Sequence, residues 1–329
     1  MATIGGSVKT LADHAKERDK DGKTSQIVEI LAQANEMLDD MLWKEGNLVT
    51  GERTSIRTGL PTTYWRQMNQ GTPTSKATSA QIDEQCAILN ARSHVDQDIA
   101  ELNGEVGPFR MNESEAFVEA MSQEMASTLI YGSAANPEEF VGFANRFGDL
   151  GANNAQNIID AGGTGSDNTS IYLVGWGERT CHGIFPKGST AGLTHEDLGL
   201  DDVEDSNGNV YRAYKDLFKW KAGLVVKDWR YVVRIANIDV SVLIADPTGA
   251  TTNLIQEMLR AIHRLPTRTG IKPAFYANRT VKEMLDIQAM EKGNLQLAMG
   301  NEEGKEKLML RGIPIRTLDA LTEAEAQVT

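Results

Sequence analysis

The chain has 329 residues, 40% hydrophobic and 24% charged, with a formal net charge of −13. That length allows about two domains or one domain with long extensions, and the composition excludes global disorder. The acidic balance excludes a protein that coats DNA through a basic surface, although it leaves room for one that encloses DNA without gripping it.

Only two cysteines occur, Cys86 and Cys181. No secreted disulfide framework is expected from so few, and a reducing cytoplasm is the default. The N-terminal MATIGGSVKTLADHAKERDKDGK is charged throughout and is not expected to be a signal peptide; no uncharged apolar run reaches spanning length.

In chain order, TSQIVEILAQANEMLDDMLW (24–43) places Ile27, Leu31, Ala34, Leu38 and Leu42 at three- and four-residue spacing, which predicts an amphipathic helix ended by Gly46. Residues 47–85 are rich in Thr, Ser, Gln and Arg and poor in aliphatics, with Gly59-Leu60-Pro61 and Gly71-Thr72-Pro73 as punctuation. They predict a long two-armed β excursion. An isolated ribbon of this kind cannot bury a core, so it is expected to lie on its own body or on another subunit. A bare surface hairpin is the plainer alternative.

Residues 86–102 lead to NESEAFVEAMSQEMASTLIYG (112–132), the strongest helical pattern. Asn112 and Glu115 stand in capping-box spacing, Phe117, Met121, Met125 and Leu129 form one ridge, and Gly132 is the stop. The glycine-rich AGGTGSDNTSIYLVGWG (161–177) invites a phosphate-loop reading. Its order is wrong, however, because the glycines precede a strand and do not open a helix, and no Gly-Lys-Ser/Thr follows. A loop feeding a strand is expected.

Residues 181–220 predict a loop-rich region containing one hairpin, with Asp205–Gly208 as the turn, Val203 before it and Val210-Tyr211 after it. In KAGLVVKDWRYVVRIANIDV (221–240), Trp229, Tyr231, Val233 and Ile235 alternate with Arg230 and Arg234, predicting a strand with an apolar and a polar face. Helices are predicted at 251–265, stopped by Pro266, and at 280–290, opened by Thr280 and Glu283. Residues 272–279 read as a short strand and 307–321 as extended chain with a Gly-Ile-Pro corner. The sum is α+β, with long excursions in place of alternating β-α units.

Catalytic patterns do not emerge. Cys181 and His182 are adjacent and would point to opposite faces of a strand; Cys86 and His94 would share a face beyond contact distance. No zinc spacing exists, and the acidic run 201–208 fails as a calcium loop because Val203 and Tyr214 occupy the first and last ligand positions. Neither a Gly-x-Ser-x-Gly elbow nor an aromatic RNA-binding signature is present. No catalytic, cofactor-binding or metal-ligating residue is assigned, and no cofactor is expected.

DAGGTGSDNTSIYLVGWGERTCHGIFPKGSTAGLTHEDLG (160–199), followed by DWRYVVRIANIDVS (228–241), resembles the major capsid proteins of tailed bacteriophages, closest to the podovirus-like group with the Hong-Kong-ninety-seven-type capsid fold. VKTLADHAKERDKDGK, QIVEILAQANEMLDDMLWKEGN and RTSIRTGLP within 8–60, and NRTVKEML (278–285), fit the same group. The resemblance implies an N-terminal arm (1–46), an extended β arm or E-loop (47–82), a peripheral domain with a spine helix (83–135 and 221–250) and an axial domain (136–220 and 251–329). In the commonest form of this fold a long peripheral strand comes near the C-terminus. Here the best candidate, 229–238, sits mid-chain, which leaves the strand order open to rearrangement.

Implied by the resemblance is a shell protein that forms hexamers and pentamers of an icosahedral head around double-stranded DNA. Its implied partners are copies of itself and scaffolding, portal and decorating proteins, in the virion and, during assembly, the host cytoplasm. No membrane is involved. Contacts between subunits are expected from Arg53, Arg57 and Arg66, pairing with acidic neighbours, and from Tyr64 and Trp65 as aromatic anchors. Two alternatives stand beside this reading: a cytoplasmic cysteine hydrolase with a site built from distant residues, and a bacterial cargo-encapsulating shell of the same fold.

Overall fold

The computed structural model describes residues 32–102, 106–204, 208–246, 252–291, 297–302 and 305–329. Its centre is three strands, β6 (Asn168–Trp176), β10 (Val232–Asp239) and β11 (Lys272–Ala277), with β6 flanked antiparallel by the other two. All nine residues of β6 are buried. That explains the apolar run from Ile171 to Trp176, since a strand covered on both faces has no side to leave polar; the buried Asn168, Thr169 and Ser170 open the strand. Alternate residues serve two cores. Tyr172, Val174, Trp176, Val232, Ala236 and Tyr276 face one, whereas Ile171, Leu173, Val233, Ile235 and Phe275 face the other.

The second core is closed by α5 (Val240–Ala245), α6 (Leu254–Arg264) and α7 (Arg279–Glu291), through Leu243, Leu254, Met258, Val281 and Leu285. The first is closed by the C-terminal half of α3 (Val106–Tyr131), by α4 (Phe143–Arg146) and by the segment around α1 (Met37–Asp40). The sheet continues through β14 (Ile313–Thr317), parallel to β11, and then β13 (Lys305–Leu310) and β12 (Leu297–Glu302); β5 (Ile158–Asp160) lies parallel to β10.

On the other side, β7 (Cys181–Phe185) hands the sheet to β9 (Val210–Val226). This 17-residue strand is also paired antiparallel with β8 (Leu193–Glu204) and β4 (Ala87–Asp96), forming a three-stranded wing crossed by α3. Phe117 of α3 stacks on Phe218 of β9 at 5.6 Å, and Arg110 ties the helix to Asp216 and Asp197, each at 2.8 Å. A short α2 (Gln97–Glu101), capped by Asp96, leads out of β4.

Several expectations are corrected. The helix foreseen over 24–43 is helical only at Met37–Asp40 among the described residues; Met41 is extended and Trp43–Glu45 form β1, parallel to β7. Residues 24–31 lie outside the described residues. The spine helix is already helical at Val106, so Asn112 lies in its interior and not at the N-cap. Pro108 fits in the first turn because a first-turn N–H has no partner to lose. Residues 181–220 are mostly strand. Trp229–Tyr231 form a 3₁₀ turn, which puts Trp229 against the first core and Tyr231 against the second. Helix α7 is capped by Asn278, whose Oδ1 accepts from the Val281 N–H at 2.8 Å, and not by Thr280. The corner before β14 is Arg311-Gly312, both with positive φ, as a two-residue hairpin requires.

The hairpin expected around Asp205–Gly208 is there, with Val203 opposite Tyr211 and Glu204 opposite Val210; residues 205–207 lie outside the described residues. The glycine stretch feeds β6, as expected, and Gly132 ends α3, its N–H bonded to the Thr128 carbonyl.

Two segments distant in sequence close the molecule. Residues 34–36 bond with 317–319, through Glu36 N–H to the Thr317 carbonyl at 3.3 Å and Asp319 N–H to the Ala34 carbonyl at 3.1 Å. Farther on, Glu325 is buried against Arg234 at 2.9 Å. It accepts from Tyr131 at 2.7 Å and also from Ser170, and Val328 exchanges two hydrogen bonds with the Asn237 side chain at 2.8 and 2.9 Å.

Candidate assembly surface

One element stands apart from all of this. β2 (Gly51–Gly59) and β3 (Thr78–Gln85) make a separate two-stranded antiparallel sheet, joined by residues 60–77 without regular structure. Every residue from 60 to 81 is exposed. The local sequence explains the shape. Threonines and alternating small polar residues suit extended chain, Pro61 and Pro73 cannot donate to a ladder, and there are too few aliphatics to build a core.

The root of this arm is anchored by charge. Arg146 of α4 grips Glu84 of β3 through two bonds of 2.6 and 2.7 Å, a bidentate geometry that fixes direction as well as distance. On the other strand, Glu52 is buried and takes Lys227 Nζ at 2.6 Å and His182 Nε2 at 3.3 Å. Burial pulls the Glu52 carboxyl up, but Lys227 and His182 outweigh it and hold it below its usual value. Burial first and Lys227 second push His182 below 6.5, so the ring is neutral at pH 7. Gly51 completes the root, because a Cβ there would meet the Glu84 carbonyl oxygen at 1.9 Å.

The five residues expected at subunit contacts all lie on the arm, in different roles. Arg53 is bound within the hairpin: its guanidinium takes both carboxylate oxygens of Asp83, its cross-strand partner, at 2.6 Å each. Arg66 holds the turn at the tip through the Gln70 carbonyl at 2.7 Å. Arg57 has no partner among the described residues and faces an open groove of about 850 Å³ between the arm and residues 178–179 and 227–230. Tyr64 is half exposed, and Trp65 is as exposed as a free residue, at 105%. Leu60 and Met68 are similarly bare. Large apolar side chains left bare along an arm with no core mark a surface awaiting a partner.

Sequence reasoning missed the anchoring set, Glu52, Glu84, Arg146, His182 and Lys227. Its members come from five separated segments, and none carries a local pattern. The two thiols are structural: Cys181 is fully buried in the first core, which raises its pKa, and burial followed by the Glu52 charge lifts Cys86 to about 11. Neither is a thiolate at neutral pH. Among the described residues, no cluster of three or more His, Cys, Asp or Glu could hold a metal ion, and no helix is long and apolar enough to cross a membrane.

A long spine helix crossing an antiparallel wing, a doubly covered central sheet and a projecting β arm define the capsid fold of tailed phages, the Hong-Kong-ninety-seven type. A family model described as major capsid protein GP7 matches residues 19–329, and the chain belongs to that family. It is similar over its full length to the bacteriophage Epsilon15 structure, with 32% identity, 100% of each chain covered and a TM-score of 0.80. The bacteriophage JBD30 capsid shares the fold at 10% identity, with 89% of this chain and 93% of that chain covered and a TM-score of 0.51. Among curated proteins there is no match. The chain is a major capsid protein of a tailed phage, a structural part of the virion shell.

Proposed function

We propose that this chain self-assembles into hexamers and pentamers of an icosahedral head that encloses double-stranded DNA. The observation that carries the reading is the arm, whose residues 60–81 are all exposed and whose shape is fixed by its own body only at the root. Such a ribbon gains a stable floor only on another copy. Many such modest contacts add up through multivalency into a closed lattice. The formal net charge of −13 suits an inner wall that must not trap the DNA it admits.

Within this reading, residues 1–46 serve as the N-terminal arm, 47–82 as the E-loop, and α3 as the spine helix. The peripheral part consists of α3 with β4, β8 and β9, and the axial part of the central sheet with its helices. This moves Val232–Ala245 to the axial side of the division drawn from the sequence and β8 with residues 210–220 to the peripheral side; the hydrogen bonds of β10 to β6 and β5, and of β9 to β4 and β8, support the two moves. Scaffolding, portal and decorating proteins are the expected partners, with assembly in the host cytoplasm. The elevated Cys86 and Cys181 thiols speak against a cysteine hydrolase.

Sedimentation velocity and negative-stain microscopy of the full chain test the reading, with nuclease-protected DNA measured in heads from infected cells. Closed shells and protected DNA are expected. A chain that stays monomeric at every concentration defeats it, and shells filled with protein and free of DNA support the cargo-encapsulating alternative instead.

A further inference from the structure

The glycine loop before β6 collects acceptors at one end of the central sheet. Strand register puts Asp160 of β5, Asp167 and Asn168 at the start of β6, and Asp239 of β10 together there, since Asp239 pairs with Asn168 and β5 runs parallel to β10. The glycines let these groups crowd in. A Cβ on Gly165 would meet Asp167 Oδ1 and Asp239 Oδ2, each at 2.7 Å, and one on Gly163 would meet Asn168 Oδ1 at 2.8 Å. Asn168 is 1% exposed, and that oxygen, turned into the loop, has no donor among the described residues. The carboxylates take only neutral donors: Gly162 N–H and Asn237 Nδ2 at Asp160, Ser241 N–H at Asp167, and Ser241 Oγ and Val242 N–H at Asp239. This is the inverse of a phosphate loop, which turns N–H groups toward an anion. The chemistry it fits is a guanidinium or an ammonium.

The opposite end of the same sheet carries such groups. There β6 runs out at Trp176 into the turn that bears Arg179, and β11 begins at Lys272, opposite Trp176. The loop before β11, with Arg268, lies against Gly177 through Gly270 and Ile271. Arg179, Arg268 and Lys272 are exposed and have no ion-pair partner among the described residues. The acids at this end are already engaged, Glu178 by Lys44 and Asp228 by Arg230. At the acidic end the nearest strand-terminal cation, Arg279 beyond β11, is likewise taken, by Asp319. The sheet is therefore polarised along its strands, with free cations at one end and free carboxylates at the other.

One chain cannot join its own two ends. β6 has nine residues, and at about 3.3 Å each they hold the ends roughly 30 Å apart. A second copy carries the complement of each. Two different patches that meet between copies make a head-to-tail contact, which repeats into a ring when the rotation closes. We propose that the basic end of the central sheet in one copy docks on the acidic end in the next, with Arg179 entering the carboxylates around the glycine loop and Arg268 and Lys272 beside it. Exposed pairs of this kind are individually weak, so the contact orients neighbouring bodies more than it binds them. The inference rests on the self-assembly reading and names a body-to-body interface within it.

Neutralising each end tests it. In the full chain, Arg179→Gln with Arg268→Gln and Lys272→Gln should raise the concentration at which sedimenting assemblies form roughly tenfold. Asp160→Asn with Asp167→Asn and Asp239→Asn should do the same, because Asn keeps an acceptor for the Gly162, Ser241 and Val242 N–H groups. Combining the two sets should add little to either alone, as for groups that act on each other. Added salt should weaken assembly of the wild type more than of the combined variant. Urea midpoints of the Gln set should match wild type, since those side chains are exposed. A second measurement mixes Arg179→Cys chains with Ser166→Cys chains and a short bis-maleimide linker: covalent dimers are expected from the mixture and from neither variant alone. Wild-type-like assembly of the Gln set, additive losses, or a mixture without dimers would overturn the docking while leaving self-assembly intact. Loss confined to the Asn set would overturn it too, by handing the acidic end to a different cation. A wild-type chain that never leaves the monomer overturns both.

Discussion

The central sheet and the arm are built by opposite means. In β6 every residue is covered, and the strand's neighbours β10 and β11 present one core on each face. In the arm, 22 consecutive exposed residues (60–81) hang from a hairpin whose fixed points are ion pairs at one end. Apolar burial holds the sheet at about 25 cal/mol per Å² removed from water, a resource the arm lacks. The difference teaches where each region's stability is decided: within the chain for the sheet, between chains for the arm.

The sharpest way to break that contrast is to damage the body. Glu325→Ala strands the Arg234 guanidinium in an interior it shares with Tyr172 and the Ala144 and Phe147 carbonyls. A loss of about 3–5 kcal/mol is expected in urea unfolding, and a double replacement of both charges by apolar residues should recover most of it. Leu129→Ala, at a fully buried position on the spine helix, should cost about 2–5 kcal/mol by the same measurement.

Acid should act next, and at the arm's root. His182 titrates near 6.5 when unfolded and lower when folded, so the unfolded chain takes up the proton first. The stability its neutral form contributes is complete above pH 6.5 and is lost as pH falls from there toward its folded value. Glu52, Lys227 and Lys44 are the charged groups that face it. Urea midpoints should therefore drop below pH 6.5 in wild type and less so in His182→Gln. The smallest effect is expected at the tip: Trp65→Ala should leave monomer unfolding within about 0.5 kcal/mol of wild type while depleting fast-sedimenting assemblies.

Legibility in the sequence followed the range of the interactions. The arm was plain from its composition, the β8–β9 hairpin from its turn, and Met121, Met125 and Leu129 from their spacing, because each is written within a few neighbouring residues. Arg234 was read as the polar face of a half-exposed strand. It is buried because a second layer covers that face and because Glu325, 91 residues away, supplies its counter-charge. The Glu52–His182 contact spans 130 residues and leaves no periodic trace. Helix starts failed for a different reason. Several residues in a row could cap, and tertiary context chose Asn278 over Thr280. Of the five residues expected at subunit contacts, Tyr64, Trp65 and Arg57 are presented outward, whereas Arg53 and Arg66 brace the arm itself.

The clasp between residues 34–36 and 317–319 sets an order of events during synthesis. A backbone bond across about 285 positions cannot form while the later partner is still untranslated, and loop closure over such a span is slow relative to local folding. Residues 34–36 therefore gain these backbone partners only after residues 317–319 have been made, whereas Trp43–Glu45 can pair with β7 as soon as residues 183–185 exist.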